Sequence, residues 1–291
     1  MKEEYLPYKF RKDALALIAI MDEIVTDYAD EGYMLTVRQI YYQLVARDIV
    51  PNTVQSYERV QATLNKARLA GLIDWDAIED RTRSVLQRSF WDSPNDILEI
   101  CANQYHEDIW DTQPNRIIVI VEKEALAGVL DRVCQKWSIP LLPARGYPSA
   151  TTLREMAKTR IMCSVQKVVV LHLGDHDPSG MDMTRDLLDR LRMFSRYEDF
   201  MLERLALNMD QIIEQKPPPN PAKTTDARYK SYRQRFGERS WELDALKPQY
   251  INDLVEERVK ELIEMRKWKK REKEIEHVKG KLLELAKNFE A

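Results

Sequence analysis

The stretch Val168-Val-Val-Leu-His-Leu-Gly-Asp-His-Asp-Pro-Ser-Gly180 constrains the fold of this chain more than any other. It begins as an apolar, β-branched run, which is typical of a strand buried in a parallel sheet. It ends in two aspartates, Asp175 and Asp177, and then turns into an amphipathic segment. Because α/β folds place their chemistry at the carboxyl ends of parallel strands, the stretch predicts an α/β fold with two carboxylates at that edge.

The two aspartates have two interpretations. In an extended segment residues i and i+2 point the same way, so Asp175 and Asp177 can share one divalent cation. Alternatively, Asp177 caps a helix that begins at Pro178, which requires no metal. A second strand that ends in an acid favours the metal-binding interpretation, because the apolar run 117–121 is followed directly by Glu122. Three carboxylates without a His or Cys cluster favour Mg²⁺, and such a site suits phosphoryl transfer.

Composition excludes several classes of protein. The chain has 291 residues, 44% of them hydrophobic and 32% charged, which indicates a soluble globular protein of about two domains. We expect no membrane segment or secretion signal and a cytoplasmic location, nucleoid-associated in a prokaryote. Three cysteines far apart in sequence (Cys101, Cys134, Cys163) indicate a reducing compartment and no zinc site. A net charge of -3 does not exclude a local basic face.

Residues 1–92 have the pattern of a winged helix-turn-helix domain. Helical spacing over 13–31, a helix from Thr36, a longer helix over 53–70 and a β-capable segment from Gly71 follow in that order. The long third helix would be the recognition helix. Its basic residues Arg59, Lys66 and Arg68, with Arg81 and Arg83 beyond, would contact the phosphates of duplex DNA. A plain helical domain with solvated charges is the alternative.

The pattern changes to alternating strands and helices in a second domain, 116–250. Four strand-like runs separated by helical segments predict a doubly wound parallel sheet; the strands are 117–121, 139–142, 167–173 and 200–207. A linking helix within 93–115 joins the two domains, and a charged helix fills much of 251–291. The Pro-rich segment 216–223 can be neither a helix nor a central strand.

The two histidines of the central stretch are weaker candidates for the site. His172 lies inside the apolar strand, so we expect it to pack in the core. His176 lies between the aspartates and points away from them in an extended chain. Contact of His176 with substrate is the less favoured interpretation.

Taken together, the motifs resemble a known family. Val119-Ile-Val-Glu122-Lys with Gly174-Asp-His-Asp-Pro-Ser-Gly180 is similar to a Toprim domain, the Mg²⁺-binding module of topoisomerases, primases and some nucleases. The order of motifs is closer to the A subunit of topoisomerase VI and its relatives that make meiotic double-strand breaks. Those proteins carry an Arg-x-x-Tyr-Tyr motif on a winged helix before Toprim, and here it stands as Arg38-Gln-Ile-Tyr41-Tyr42. Gly146-Tyr-Pro-Ser149 and Trp241-Glu-Leu-Asp-Ala-Leu246 resemble two further segments of the family.

The resemblance, which covers roughly residues 30–250, implies a role for each matching residue. Tyr42 would be the nucleophile that forms a 5′-phosphotyrosyl link to DNA, with Tyr41 as the alternative. Arg38, one helical turn before Tyr42, would lower the phenol pKa or hold the scissile phosphate. Glu122 would bind metal or move a proton at the sugar 3′-oxygen. The Mg²⁺ ligands would be Glu122, Asp175 and Asp177.

The resemblance also implies partners. The family acts as a homodimer in which the tyrosine of one subunit meets the metal site of the other, so that both strands of duplex DNA are cut. A separate ATP-binding B subunit would supply strand passage. This chain departs from the family in its short length, its Pro-rich segment and its charged C-terminal helix, and Glu124 has no assigned role. Two other functions stay open: a Toprim nuclease that uses water, and a non-catalytic DNA-binding regulator.

Overall fold

The protein is of the mixed α/β class, and its computed structural model describes residues 2–79, 90–196 and 199–289. The helices are α1 (Lys12–Asp30), α2 (Val37–Ala46), α3 (Val54–Leu69), α4 (Pro94–Asn103), α5 (Ala127–Lys136), α6 (Ala150–Met156), α7 (Pro178–Phe194), α8 (Met209–Gln215), α9 (Tyr229–Phe236), α10 (Pro248–Leu262) and α11 (Met265–Lys287). The strands are β1 (Asn115–Val121), β2 (Leu141–Pro143), β3 (Lys167–Leu173), β4 (Phe200–Ala206), β5 (Asn220–Pro221) and β6 (Arg239–Ser240). Within these ranges no helix combines the length and the apolar character needed to span a membrane.

The first four strands form the predicted parallel sheet, in the order β2-β1-β3-β4. Strands β1 and β3 are neighbours and run in register from Asn115 opposite Lys167 to Val121 opposite Leu173. Their side chains are buried on both faces, as expected for a sheet covered by helices on two sides. Because β1 and β3 end side by side, the residues that follow them meet at one edge of the sheet.

Helices cover both faces of the sheet. Alternate β1 residues such as Ile117 and Val119 pack with α5 and α10, and Ile118 and Ile120 pack with α6 and α7. Helix α10 contributes Val255 to the first of these cores. The core of the sheet therefore extends past residue 250, where the sequence pattern suggested that the domain ends.

The N-terminal residues form a second core from α1, α2 and α3. Thr36 begins α2 with a capping box that pairs it with Gln39. After α3 the chain from 71 to 79 makes turns rather than strands, with a single-residue bridge between Leu35 and Ile78. Arg81 and Arg83, expected just beyond, lie outside the described residues. The described part of this region is thus a three-helix unit.

The predicted linking helix is shorter than its pattern suggested. Ser93 caps α4, and the helix ends at Asn103. A 3₁₀ turn at Ile109–Thr112, capped by the Asp108 carboxylate, follows before β1. Helix α4 packs against the C-terminal helix α11 rather than simply joining two domains.

The charged helix α11 docks on its own chain. Its Trp268 is buried edge-on against Trp110, with ring centroids 5.2 Å apart, and also packs against Trp137. Arg271 of the same helix pairs with Glu107. One face of this helix is thus part of the core of the sheet domain.

Candidate functional site

Glu122 lies in a tight cradle at the carboxyl edge of the sheet. It directly follows β1, and its Oε2 accepts the backbone N–H of Asp175 at 2.9 Å. A Cβ atom at Gly174 would lie 2.9 Å from that oxygen, and one at Gly180 would lie 3.1 Å from it and 2.2 Å from the Asp175 carbonyl oxygen. The loop from Gly174 to Gly180 can therefore approach Glu122 this closely only because both positions lack a side chain. Burial, followed by the charge of Asp177, raises the pKa of Glu122.

Asp177 caps α7, as the alternative interpretation predicted. Its Oδ1 accepts the N–H of Gly180 at 2.6 Å and the hydroxyl of Ser179 at 2.9 Å. Helix α7 consequently begins at Pro178. The second oxygen, Oδ2, accepts no hydrogen bond from the residues that the structure describes. Capping therefore occupies one oxygen and leaves the other available to a cation.

Asp175 is the most enclosed of the three carboxylates. Its Oδ1 accepts the N–H of Leu243 at 2.8 Å, and its Oδ2 lies 3.0 Å from the Lys123 ammonium. Burial raises the pKa of Asp175 to about 7, with help from Glu122, while Lys123 opposes the rise. Across the described ranges, no three His, Cys, Asp or Glu side chains converge as a ready metal centre. At this edge, both carboxylate oxygens of Asp175 already have partners within the chain.

A partly buried charge cluster, not foreseen from the sequence, lies beside the carboxylates. The Lys123 ammonium contacts Asp175, Glu242 at 2.5 Å and Asp244 at 2.8 Å. Arg38 reaches the same pair of acids from α2, at 2.6 Å from Glu242 and 3.2 Å from Asp244. Although burial opposes it, Lys123 and then Arg38 hold the pKa of Glu242 at about 2. The only signal in the sequence was the pair of acids within Trp241-Glu-Leu-Asp-Ala-Leu246.

Arg204 of β4, also unforeseen, holds the aspartate loop from behind. Its guanidinium donates to the carbonyl oxygens of Gly174 at 2.9 Å, Asp175 at 2.6 Å and Gly180 at 2.9 Å, and to the Thr184 hydroxyl at 2.8 Å. The planar fork of arginine can serve several acceptors at once, which an ammonium cannot do in this geometry. The available signal was a pair of adjacent charged residues, Glu203 and Arg204, inside a strand that is otherwise apolar.

The two tyrosines of α2 have different surroundings. The Tyr41 hydroxyl lies 3.1 Å from the carbonyl oxygen of Thr53 and 3.2 Å from Oδ1 of Asn52, at the α2–α3 connection. Tyr42 faces the charge cluster instead, with the Arg38 guanidinium 5.8 Å from its ring centroid. Burial first, and then Glu242, raises the pKa of Tyr42. Both rings are only 4% exposed.

A cleft of about 630 Å³ brings the predicted site residues together in one chain. One wall carries Arg38 and the tyrosines, and the opposite wall carries the sheet-edge acids. The residues from both walls are Arg38, Tyr41, Tyr42, Glu122, Asp175 and Asp177. The resemblance implied that tyrosine and metal ligands of different subunits meet, whereas here they share a cleft within a single chain.

The three basic residues of α3 that were predicted to contact DNA do not line this cleft. Arg59 is 61% exposed and lies 3.6 Å from Asp13. Lys66 is exposed on α3. Arg68 stacks on Trp75, 4.2 Å from the ring centroid, and donates to its carbonyl oxygen at 3.2 Å. Arg68 thus has a packing role in the three-helix unit, while Arg59 and Lys66 stay at its surface.

The two histidines pack in the interior. Nδ1 of His172 lies 2.9 Å from the Thr184 hydroxyl, and burial lowers the pKa of His172 to about 3. Nδ1 of His176 lies 2.8 Å from the Tyr232 hydroxyl, and its ring contacts Phe236 and Trp241 edge-on. Neither lines the cleft. The expectation that His172 is a core residue is confirmed.

No protein-family model matches the chain, and no curated protein is significantly similar to it. The residues of the cleft therefore carry the functional argument.

Proposed function

We propose that this protein binds duplex DNA and cleaves it with Mg²⁺ by a tyrosine transesterification, in the manner of the A subunit of topoisomerase VI. The observation that carries the proposal is the cleft, which has a tyrosine and an arginine on one wall and three carboxylates on the other. A phosphodiester between the walls would meet a nucleophile on one side and a hard-oxygen cation site on the other.

The residues of the carboxylate wall fit Mg²⁺. Their donors are carboxylate oxygens alone, which this ion prefers. Oε1 of Glu122 and Oδ2 of Asp177 accept no hydrogen bond from the described residues, so each carboxylate keeps one oxygen for the ion. Asp175 would be the third ligand, with its Oδ2 shared between the ion and Lys123. A bound Mg²⁺ would stabilise the charge that develops on the phosphate and on the leaving oxygen.

The tyrosine wall supplies the attacking atom. The Tyr42 oxygen bonds to phosphorus as the bond from phosphorus to the sugar 3′-oxygen breaks, which leaves a 5′-phosphotyrosyl end and a 3′-hydroxyl. The phenol loses its proton to solvent, and the 3′-oxygen gains one from solvent, because Glu122 as a Mg²⁺ ligand is deprotonated. Arg38 and Lys123 favour the phenolate, since both lower the pKa of Tyr42, against burial and Glu242.

We propose that one chain carries a complete site, because both walls of the cleft belong to it. A homodimer would then bring two such sites to the two strands, and an ATP-binding B-type subunit would be needed only for strand passage. The three-helix unit would act as the DNA-binding domain of winged-helix type, with Arg59 and Lys66 exposed for phosphate contacts.

The test of the tyrosine mechanism separates the two tyrosines. Supercoiled plasmid is incubated with the protein and Mg²⁺, the reaction is stopped with denaturant, and protein-linked DNA ends are counted. We expect Tyr42→Phe to lose at least about 100-fold of the linked ends, because it removes the attacking oxygen. Tyr41→Phe is the matched control: it keeps linked ends near the wild-type level, since its hydroxyl bonds the α2–α3 connection. Linked ends that persist in Tyr42→Phe would contradict the mechanism.

A mixing experiment tests the single-chain site. Tyr42→Phe and Glu122→Gln proteins are denatured together, refolded as a mixture and assayed. If tyrosine and metal ligands meet across subunits, a mixed dimer has one intact site and the mixture cleaves. The cleft within one chain predicts no cleavage by the mixture.

A hydrolytic Toprim nuclease is the second candidate, and one observation favours it. Tyr42 is nearly fully buried and its pKa is raised, so the resting protein presents a protonated phenol. With water as the nucleophile, the same plasmid assay gives free 5′-phosphate ends, Tyr42→Phe keeps its activity, and Asp177→Asn loses it.

A further inference from the structure

The Pro-rich segment 216–223, here called the strap, forms the mouth of the cleft. It follows α8, and its Asn220 and Pro221 pair with β6 as a short antiparallel ladder. Two further contacts fix it: the Ala222 N–H donates to the Glu238 carbonyl at 2.9 Å, and the Asn220 amide donates to Glu242 at 3.2 Å. The strap is therefore attached to the segment that carries the charge cluster.

The strap also contacts the three-helix unit. Asn52, just before α3, hydrogen-bonds the Asn220 side chain and reaches the Pro219 carbonyl at 3.5 Å. Proline fixes φ at each of its four positions in the strap, so little backbone freedom is lost when it holds a ligand. The strap thus bridges the two walls of the cleft in a fixed conformation.

The cations that line the cleft fall into two kinds. Arg38 and Lys123 are both paired with carboxylates of the charge cluster. Lys223 of the strap is exposed and has no ion pair or side-chain hydrogen bond within the described ranges. It lines the same cleft as Asp177 and Ser179. Lys223 is therefore the cation whose charge remains available to an incoming anion.

We propose that Lys223 binds a DNA phosphate next to the scissile one, which makes the strap a phosphate subsite of the cleft. The inference rests on the proposed function, since it takes the scissile phosphate to lie between Tyr42 and the carboxylates. The neighbouring phosphate of the same strand then lies toward the mouth, where carboxylates would repel it unless a cation compensates. A lysine suits this position because its ammonium is a mobile point charge that requires no fixed geometry of the phosphate.

The experiment measures duplex binding against salt. Fluorescence anisotropy of a labelled duplex is recorded with wild type and Lys223→Ala, in EDTA, between 50 and 300 mM salt. Loss of one phosphate contact reduces the slope of log K against log[salt] by about 0.9 and weakens binding several-fold, equally for unrelated sequences. Lys230→Ala is the matched control, because it removes the same charge from the surface of α9. Lys230 is exposed and does not line the cleft. Its slope stays at the wild-type value.

Three outcomes separate the inference from the function on which it rests. A reduced slope in Lys223→Ala alone supports the phosphate subsite. If the unmodified protein binds and cleaves DNA, and Lys223→Ala has the same slope and affinity, the phosphate subsite is overturned and the proposed function is not. A wild-type protein that binds no duplex overturns both. Thermal unfolding of each variant confirms that these exposed substitutions leave the fold intact.

Discussion

The two walls of the cleft are held in place by different forces. The carboxylate wall is built from backbone: Glu122 accepts an N–H of the aspartate loop, Asp177 caps a helix, and Arg204 holds three carbonyls of the loop. The tyrosine wall belongs to a separate helical core, which Ala245 of the sheet domain joins, and it also meets that domain through the charge pairs of Arg38 with Glu242 and Asp244. Backbone hydrogen bonds fix positions, whereas charge pairs respond to salt, pH and an incoming phosphate. The metal end is thus the rigid half of the site and the tyrosine end the adjustable one.

The rigid half is most sensitive to the loss of Arg204. We expect Arg204→Met to lower the free energy of unfolding by about 4 kcal/mol, because four buried acceptors lose their donor together. Binding of Mn²⁺, followed by the EPR signal of the free ion, should weaken by about 10- to 100-fold as the aspartate loop loses its support. Arg204→Lys should recover only part of both quantities, since one ammonium cannot reach all four acceptors.

Arg258→Met is the control for Arg204. Arg258 also lies against β4, but it pairs at the surface with Glu203 at 2.8 Å and with Glu261 at 2.7 Å. Its loss should cost less than about 1 kcal/mol and leave Mn²⁺ affinity unchanged. Equal destabilisation by the two substitutions would show that the loop needs no support from Arg204.

The second prediction concerns the pH dependence of the rigid half. The folded pKa of Asp175, about 7, lies above its ordinary value of 3.8. Between pH 3.8 and about 7 the folded protein keeps a proton on Asp175 that the unfolded chain has lost. The contribution of Asp175 to stability is therefore fully present below pH 3.8 and is lost as pH rises through about 7. In EDTA, unfolding free energy should therefore fall by at most about 1.4 kcal/mol per pH unit on this account.

Asp175→Asn provides the comparison, because it cannot ionise. The unfolding free energies of wild type and Asp175→Asn are measured with urea at pH 5, 6 and 7. The difference between the two should change with pH by the amount given above for Asp175. Mg²⁺ should restore stability to the wild type increasingly as pH rises, because metal ligands must be deprotonated. A difference that does not vary with pH would place the Asp175 pKa near its ordinary value.

The rigid half was also the more predictable from sequence, for the same physical reason. Residues 117–121 and 168–171 are continuous apolar runs, and the acids that follow the two strands must meet at one sheet edge once the strands are neighbours. The cap by Asp177, with a helix that starts at Pro178, was recognisable from Asp-Pro. These features are local, so a short window of sequence contains them.

What the sequence did not reveal depends on distant residues. Lys123 and Asp244 are 121 positions apart in the chain and meet only because the Trp241–Leu246 segment folds back over the sheet edge. Arg204 looks like an ordinary charged residue of an edge strand until the loop that it supports is in place. Helices α8 and α9, of seven and eight residues, are too short for their periodicity to be distinct. The tyrosine wall also depends on distant residues, since only tertiary structure decides which of Tyr41 and Tyr42 faces the acids.

The smallest expected effect tests the adjustable half. Glu242→Gln removes one carboxylate from the cluster and leaves Arg38 and Lys123 paired with Asp244 and Asp175. The two cations and two remaining carboxylates still balance, so the loss of stability should be about 1 kcal/mol. The charge of Glu242 raises the pKa of Tyr42, and its removal should lower that pKa. The pH at which phosphotyrosyl ends form at half their maximal rate should therefore shift downward.

Glu238→Gln is the matched control, because Glu238 is exposed and pairs with Arg233 at 2.7 Å, away from the cleft. Rates of linked-end formation across a pH series distinguish the two halves of the site. A downward shift in Glu242→Gln alone means that the cluster sets the protonation of the nucleophile while the metal end stays fixed. An unchanged profile in both variants means that the phenol proton is not lost in the step that limits the rate, and the charge pairs then serve only to hold α2 against the sheet domain.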